Sequence, residues 1–390
     1  MTRDPEGVTL ANWQDYPHNR WAFLHLGEIL HMAPIPRGDG PVRELERADE
    51  RGLLTWRTEV RDRTTSLQEV LDDTSTDGFL VLHDGRILAE WYADGMLPTT
   101  RHLTMSITKS FTSALTAVMV RQGLVGLRTP VTEYVDELRG TAFEGCTVEQ
   151  LLDMRAGVRW NEDYEHFSRS DAFLYEQIMG WRPRTSADLA PDMFSYMATL
   201  TERDRAHGGP FEYRSILTDA LGWALERAGG APFADLFSRE IWSKLGADDI
   251  AEIHVDPGGC AITDGGMCTT LRDLARFGLL YVEDGHDVVP ADWVGRLANP
   301  DPELAQAFSM APEASLYPGA MYHDLWWVID PARGVFVALG IYGQMLLIHR
   351  SARAVVAKFS TQPKAVDLLS DHIQIVASIA LCEALAEGKV

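Results

Sequence analysis

The stretch HLTMSITKSFTSALTAVMV, residues 102–120, places Ser106 and Lys109 three apart at the head of an apolar helical pattern. On a helix, positions i and i+3 share a face, so the hydroxyl and the amine can touch. The first turn leaves main-chain N–H groups without partners, which favours negative charge developing there. An ammonium held against Met105 and Phe111 loses hydration, which favours its neutral form. A neutral lysine can take the serine proton and leave an alkoxide-like nucleophile. Activity should then fall on the acid side, as the amine takes up a proton. The same spacing is also met by a helix N-cap serine followed by a surface lysine. The chain has only five lysines and eighteen serines, so chance gives the Ser-x-x-Lys spacing about 0.2 times. Spacing alone is therefore a modest signal, and the surrounding pattern has to carry the reading.

Upstream, DGFLVLHDGRILAEWYADG sets two apolar runs around Asp84-Gly85, a hairpin signal. Downstream, TVEQLLDMRAG predicts a helix capped by Thr147 and stopped at Gly157. Helical spacing continues through TDALGWALERAGG, PFADLFSREIWSKLGA and LRDLARFGLLYVEDG. After residue 320 the runs DLWWVID, GVFVALGIYG, QMLLIHR and AVVAKFS read as strands, and VDLLSDHIQIVASIALCEALAEG as a closing helix. Strands at both ends and helices between predict an α+β fold whose sheet takes strands from both chain ends, interrupted by a helical region. Residues 1–115 and 256–390 would form the α/β domain and 116–255 the mainly helical one.

Composition narrows the partners. The formal net charge is −22 over 390 residues, which disfavours nucleic acid and anionic membrane surfaces. Cys146, Cys260, Cys268 and Cys382 lack C-x-x-C spacing and are expected as free thiols. The N-terminal stretch has no apolar h-region, and no run of 18 apolar residues occurs, so a cytoplasmic protein is expected. There is no G-x-S-x-G, H-E-x-x-H, P-loop or G-x-G-x-x-G pattern, and His25 and His31 have no convincing ligand companions. No metal or cofactor is expected.

Two further segments gain meaning beside the Ser-Lys pair. Tyr213 precedes a helical run with Ser215 two residues on. A phenol near a cationic lysine is easily ionised and can relay protons, although a lone tyrosine more often serves packing; the same holds for Tyr164 in WNEDYEHF. Gly340 and Gly343 bracket a β-rich run in GIYGQMLL, as if something approaches that strand closely. The Gln344 N–H there could join that of Ser106 as an oxyanion pair.

Ser106-Ile107-Thr108-Lys109, then Tyr213-Arg214-Ser215, then Ile341-Tyr342-Gly343 occur in the order of the motifs of serine β-lactamases and penicillin-binding proteins, which this chain resembles. Within that superfamily, NWQDYPHNRWAFLHLGE, MSITKS, PVTEYVDEL, NEDY, GWR, TDALGWALER, TLRDLAR and GIYGQ resemble the 6-aminohexanoate-dimer hydrolases, its nylon-oligomer-degrading branch. The resemblance implies a β-lactamase/transpeptidase-like fold, an antiparallel sheet flanked by helices plus an inserted all-helical domain with the active site between the two domains, and it implies Ser106 as nucleophile, Lys109 as base and Tyr213 as proton relay. It implies that Tyr164 closes on the amide, that Trp181 lines the acyl pocket and that Glu176 meets a substrate ammonium. The expected reaction is acyl-enzyme hydrolysis of a short linear amide, the 6-aminohexanoate linear dimer, with accompanying esterase activity, in a possible homodimer. A carboxylesterase, a D-amino-acid peptidase or a non-catalytic binding module are the alternatives. The chain departs from the β-lactamase pattern where Ser215 replaces asparagine and Ile341-Tyr342 replaces a lysine and a hydroxyl residue. A cation for a β-lactam carboxylate is thus missing from its usual place. Asp264-Gly265-Gly266 also differs from the histidine expected in the nylon-oligomer branch.

Overall fold

Asp84 and Gly85 both adopt left-handed backbone, at φ 49° and 74°, the conformation that a two-residue turn between twisted strands requires. They join the antiparallel strands Thr76–His83 and Arg86–Tyr92, as the sequence predicts. The structure, a computed structural model, describes residues 7–48, 52–61 and 63–390. Residues 1–6 of the polar N-terminal stretch lie outside it.

On its other edge Thr76–His83 pairs with Ala354–Ser360, so early and late parts of the chain meet in one sheet. The sheet continues antiparallel through Gln344–His349, Val335–Gly340, Trp326–Asp330 and Met321–His323 to make seven strands. Side chains alternate between its faces. Phe79 and Val81 join one core cluster with Val356, Ile375 and Leu381; Leu80 and Leu82 join the other with Ile348, Phe111 and Phe277. Both faces are covered, which explains the nearly unbroken apolar runs of these strands; each such side chain stabilises the fold by roughly 1.5–3 kcal/mol. Helix Leu271–Val282 lies so close to one face that a Cβ on Gly278 would fall 2.6 Å from Val355 Cγ1.

The other face carries the C-terminal helix Leu368–Ala386. By length and composition this helix is apolar enough to cross a membrane, although the sequence has no unbroken run of 18 apolar residues. Here Ile375, Leu381, Cys382 and Leu385 pack onto the sheet.

A second, smaller sheet was not legible in the sequence. Its strands, in order, are Met32–Ile35, Ala251–His254, Met267–Thr269 and His102–Leu103. It places a strand at the end of the segment read as helical to 255. It also delivers the chain from Leu103 into the nucleophile helix, Ile107–Arg121.

In the helical region Thr147 caps its helix in a reciprocal box with Gln150, but the helix covers only Val148–Leu152 and does not run to Gly157. Met154 turns the chain away at φ 53°. Gly157 serves a different purpose: the Arg205 carbonyl passes 2.1 Å from where a Cβ would stand, a gap only glycine leaves open.

Candidate active site

Ser106 occupies the N-cap position of the helix Ile107–Arg121 but makes no capping bond with its side chain. Instead Lys109 Nζ donates to Ser106 Oγ over 3.0 Å. Lys109 is 1 % exposed, which excludes the surface-lysine alternative. The turn into the helix is held in an uncommon conformation, with Met105 at φ 49°. Thr104 donates through N and Oγ1 to the Met267 carbonyl, each over 2.8 Å, and Thr108 Oγ1 donates to the Met105 carbonyl over 2.7 Å. The small sheet thereby fixes the strand-to-helix turn that presents the hydroxyl.

Lys109 Nζ has a second partner in the Asp264 carbonyl, 2.7 Å away, and the Asp264 carboxyl group lies 3.9 Å off. Lys109 Nζ also stands 5.0 Å from the centre of the Tyr213 ring. The hydroxyls of Ser106 and Ser215 lie close to the Tyr213 phenol. Trp327 stacks on that ring at 5.6 Å and 17° and fixes its tilt. The sequence expectation that the phenol ionises easily is corrected here. Burial and the neighbouring Glu162 carboxylate drive its proton affinity well above the ordinary tyrosine value, so it stands as a neutral donor.

Glu162 is the polar centre that sequence reasoning passed over. It accepts from Tyr164 Oη over 2.5 Å and from the N and Oγ of Ser215, each over 2.9 Å. Burial raises its carboxyl above the usual range, against the pull of Lys109, Tyr164 and Ser215. Its signal was present: it lies in NEDY beside Tyr164, from which only the tyrosine was taken. Asp219 was missed as well. It accepts from the Asp264 N–H and from Thr263 Oγ1 over 3.0 Å, and from Tyr175 Oη over 3.0 Å. Burial and the adjacent Asp264 push its carboxyl well up.

The cleft has two arms that share Ser106, Glu162, Tyr164 and Ile341. The tighter arm, about 40 Å³, is walled by Trp160, Tyr175, Glu176, Trp181, Ser215 and Asp264. Trp181 is fixed there by its Nε1–H, which donates to His254 Nδ1 over 2.6 Å. Glu176 lies on this wall but does not wait for a ligand as a lone anion. It is ion-paired with Arg182, and Gln14 Nε2 donates to it over 3.2 Å. Burial still lifts its carboxyl to about 7. The wider arm, about 230 Å³, runs past Tyr213 and Trp327 toward the start of the C-terminal helix.

Gln344 is not on either wall. It is fully buried and pairs across the hairpin with Gly340. Its side chain donates to the carbonyls of Ile341 and Tyr342, both over 3.3 Å, and of Ser360 over 2.7 Å. The residue of this turn that faces the cleft is Ile341, present in both arms. The strained link is Tyr342, at φ 64°, which turns Gln344 away behind the cleft. Gly340 is needed for close approach: a Cβ there would meet the Thr104 carbonyl at 2.6 Å and Met105 Cβ at 2.9 Å. The sheet edge thus presses directly against the residues before Ser106.

Similarity to known proteins follows the same outline. The chain is 37 % identical over 362 residues to 6-aminohexanoate-dimer hydrolase of Paenarthrobacter ureafaciens, covering 91 % of this chain and 88 % of that protein. A solved Bacillus anthracis protein assigned as a 6-aminohexanoate-dimer hydrolase superposes with a TM-score of 0.86 at 26 % identity, over 97 % of this chain and 98 % of that one. EstCE1, a hydrolase with promiscuous acyltransferase activity, shares the fold at a TM-score of 0.62 and 15 % identity, over 82 % of this chain and 96 % of its own. Residues 66–380 match the family described as Beta-lactamase, and the chain accordingly belongs to the β-lactamase family, as a hydrolase homologous to 6-aminohexanoate-dimer hydrolase.

Proposed function

We propose that the protein is a serine hydrolase that cleaves the amide bond of short linear substrates through an acyl-enzyme on Ser106, with the 6-aminohexanoate linear dimer among its substrates. The observation that carries this reading is the 3.0 Å contact between Ser106 Oγ and the buried Lys109 amine. In its neutral form the amine takes the hydroxyl proton as Oγ bonds to the carbonyl carbon. The Tyr213 phenol gives its proton to the leaving nitrogen as the C–N bond breaks, and regains one from the lysine. Water then adds to the acyl carbon as the neutral lysine takes one of its protons, the bond from that carbon to Oγ breaks to release the carboxylic acid, and the proton passes from the lysine to Oγ. Ser106 and Ile341 line both arms, and their main-chain N–H groups would hold the oxyanion, Ile341 taking the place expected of Gln344. Tyr164, tied to Glu162, covers the reacting bond, while Trp181 and Ser215 shape the acyl arm and Glu176 supplies acidic character there. Short-chain esters should react as well, because an alkoxide leaves more readily than an amide nitrogen in the same geometry.

The test is a pair of assays on the wild type and Ser106→Ala. The wild type should release free 6-aminohexanoate from the linear dimer and nitrophenol from a short acyl ester, and the variant should do neither. Undiminished ester turnover by the variant would overturn the mechanism. Ester turnover without any release from the dimer would favour a carboxylesterase.

A further inference from the structure

The wider arm of the cleft differs in chemistry from the tighter one, and its position relative to Tyr213 assigns it a role. Tyr213 lines the wider arm and not the tighter one. The group that protonates the departing atom must stand on the departing side, so the wider arm receives the leaving group. This assignment rests on the hydrolase reading above.

Along most of its length the arm is apolar, with walls from Leu316, Trp327, Leu339, Val366, Leu368 and Ile375. Three of these remain unusually open to solvent for their type: Leu316 is 39 %, Val366 37 % and Leu368 44 % exposed. Apolar side chains left uncovered in a row from a nucleophile to the surface mark a binding groove. The lining also holds two carboxylic acids, Glu313 and Asp371, which burial raises, Asp371 to about 7 with Lys358 pulling the other way. Asp371 accepts from Gln374 Nε2 over 3.0 Å. His372 is there too, its Nδ1 3.1 Å from Tyr317 Oη, and burial and the nearby Arg61 lower its proton affinity. Among the described residues lining this arm there is no lysine or arginine. Lys358, behind it in the sheet, is 1 % exposed and donates to the Gly343 carbonyl over 3.2 Å. Lys364, beside the rim in sequence, is exposed and not part of the wall.

We propose that the leaving-group arm selects amines and alcohols with an extended apolar chain and a neutral or cationic end, and discriminates against chains that end in a carboxylate. An anion brought along the arm gives up hydration for apolar walls and meets Glu313 and Asp371, with no lysine or arginine among the described residues of the wall to pair with. The linear dimer, whose leaving half ends in a carboxylate, is then a poorer substrate than its neutral-ended counterpart.

The test fixes the acyl group and varies only the far end of the alcohol. Butanoate esters of hexanol, 6-aminohexanol and 6-hydroxyhexanoate leave with nearly equal intrinsic ease, so differences in kcat/KM report the arm. Nitrophenyl butanoate serves as the control for Ser106-dependent chemistry. The hexyl ester should exceed the carboxylate-ended ester by tenfold or more, with the ammonium-ended ester also above the latter. Val366→Lys, at an exposed position, should raise kcat/KM for the carboxylate-ended ester about tenfold relative to that for the hexyl ester, and Asp371→Asn should move the same ratio several-fold in the same direction. Equal rates for the three esters, with nitrophenyl butanoate still turned over by Ser106, would overturn the selectivity and leave the hydrolase reading intact. A carboxylate-ended ester that is preferred, and loses its preference in Lys364→Ala, would overturn it too. No Ser106-dependent turnover of nitrophenyl butanoate would remove the hydrolase reading and this inference with it.

Discussion

At the scale of single residues, what matters is which groups are buried and what faces them. Tyr213 is held by Trp327, with the Ser106 and Ser215 hydroxyls close to its phenol. Tyr213→Phe keeps the packing and deletes the proton. It should lower kcat by about 10²–10⁴-fold, the usual value of a positioned acid or base, with KM little changed. Steady-state kinetics on one amide and one ester check this, and the amide should suffer more because its nitrogen must be protonated to leave. Away from the cleft, His323 sits between two buried carboxylates, 2.8 Å from Asp153 and 3.4 Å from Asp324, while Arg296 reaches Asp324 over 2.7 Å. Two anions thus face two cations, and the imidazole is raised to about 9 from its ordinary 6.5. The folded ring binds its proton more tightly than the unfolded one. Its contribution to stability is complete below pH 6.5 and is lost as pH climbs through about 9. At 1.36 kcal/mol per unit the contribution is roughly 3 kcal/mol. Urea unfolding of the wild type and His323→Gln at pH 6 and pH 9.5 should show the gap between them narrowing at the higher pH.

At the scale of elements, the hairpin at Asp84-Gly85, four of the five late strands and the long closing helix were legible because each carries a local signal: turn residues, β-branched runs or helical periodicity. The small sheet was not. Its strands are two to four residues long, too short for alternation to register, and pairings such as Met32 with His254 span most of the chain. The helix after Thr147 was overextended for a related reason. Gly157 looks like a stop signal in sequence, but its small size answers to the Arg205 backbone from a distant segment. Gly340 belongs to the same class, since its partner is the Thr104–Met105 backbone. Gly340→Ala forces that junction apart and should destabilise the protein by about 1–3 kcal/mol. Because the displaced backbone leads straight into Ser106, kcat should fall by more than the lost folded fraction explains. Thermal unfolding and active-site titration of the same preparation separate the two effects.

At the scale of the molecule, the order of three short motifs carried more information than any one of them. Ser106 and Lys109 share the first turn of one helix, and the fold brings the distant Tyr213 to them. Their chemistry could be named from the sequence because each motif has a fixed local shape. The carboxylates around them, Glu162, Asp219 and Asp264, could not be ranked, since burial and mutual distance decide their character and neither is local. The two-armed cleft likewise exists only once the late sheet edge meets the nucleophile turn. The central claim is that Oγ of Ser106 attacks a carbonyl carbon and holds the acyl group. Rapid acid quenching during turnover of nitrophenyl butanoate, followed by peptide mass spectrometry, tests it directly. A butanoyl group on the peptide containing Ser106, absent from folded Ser106→Ala, is the expected result; turnover with the acyl group on another residue would contradict it.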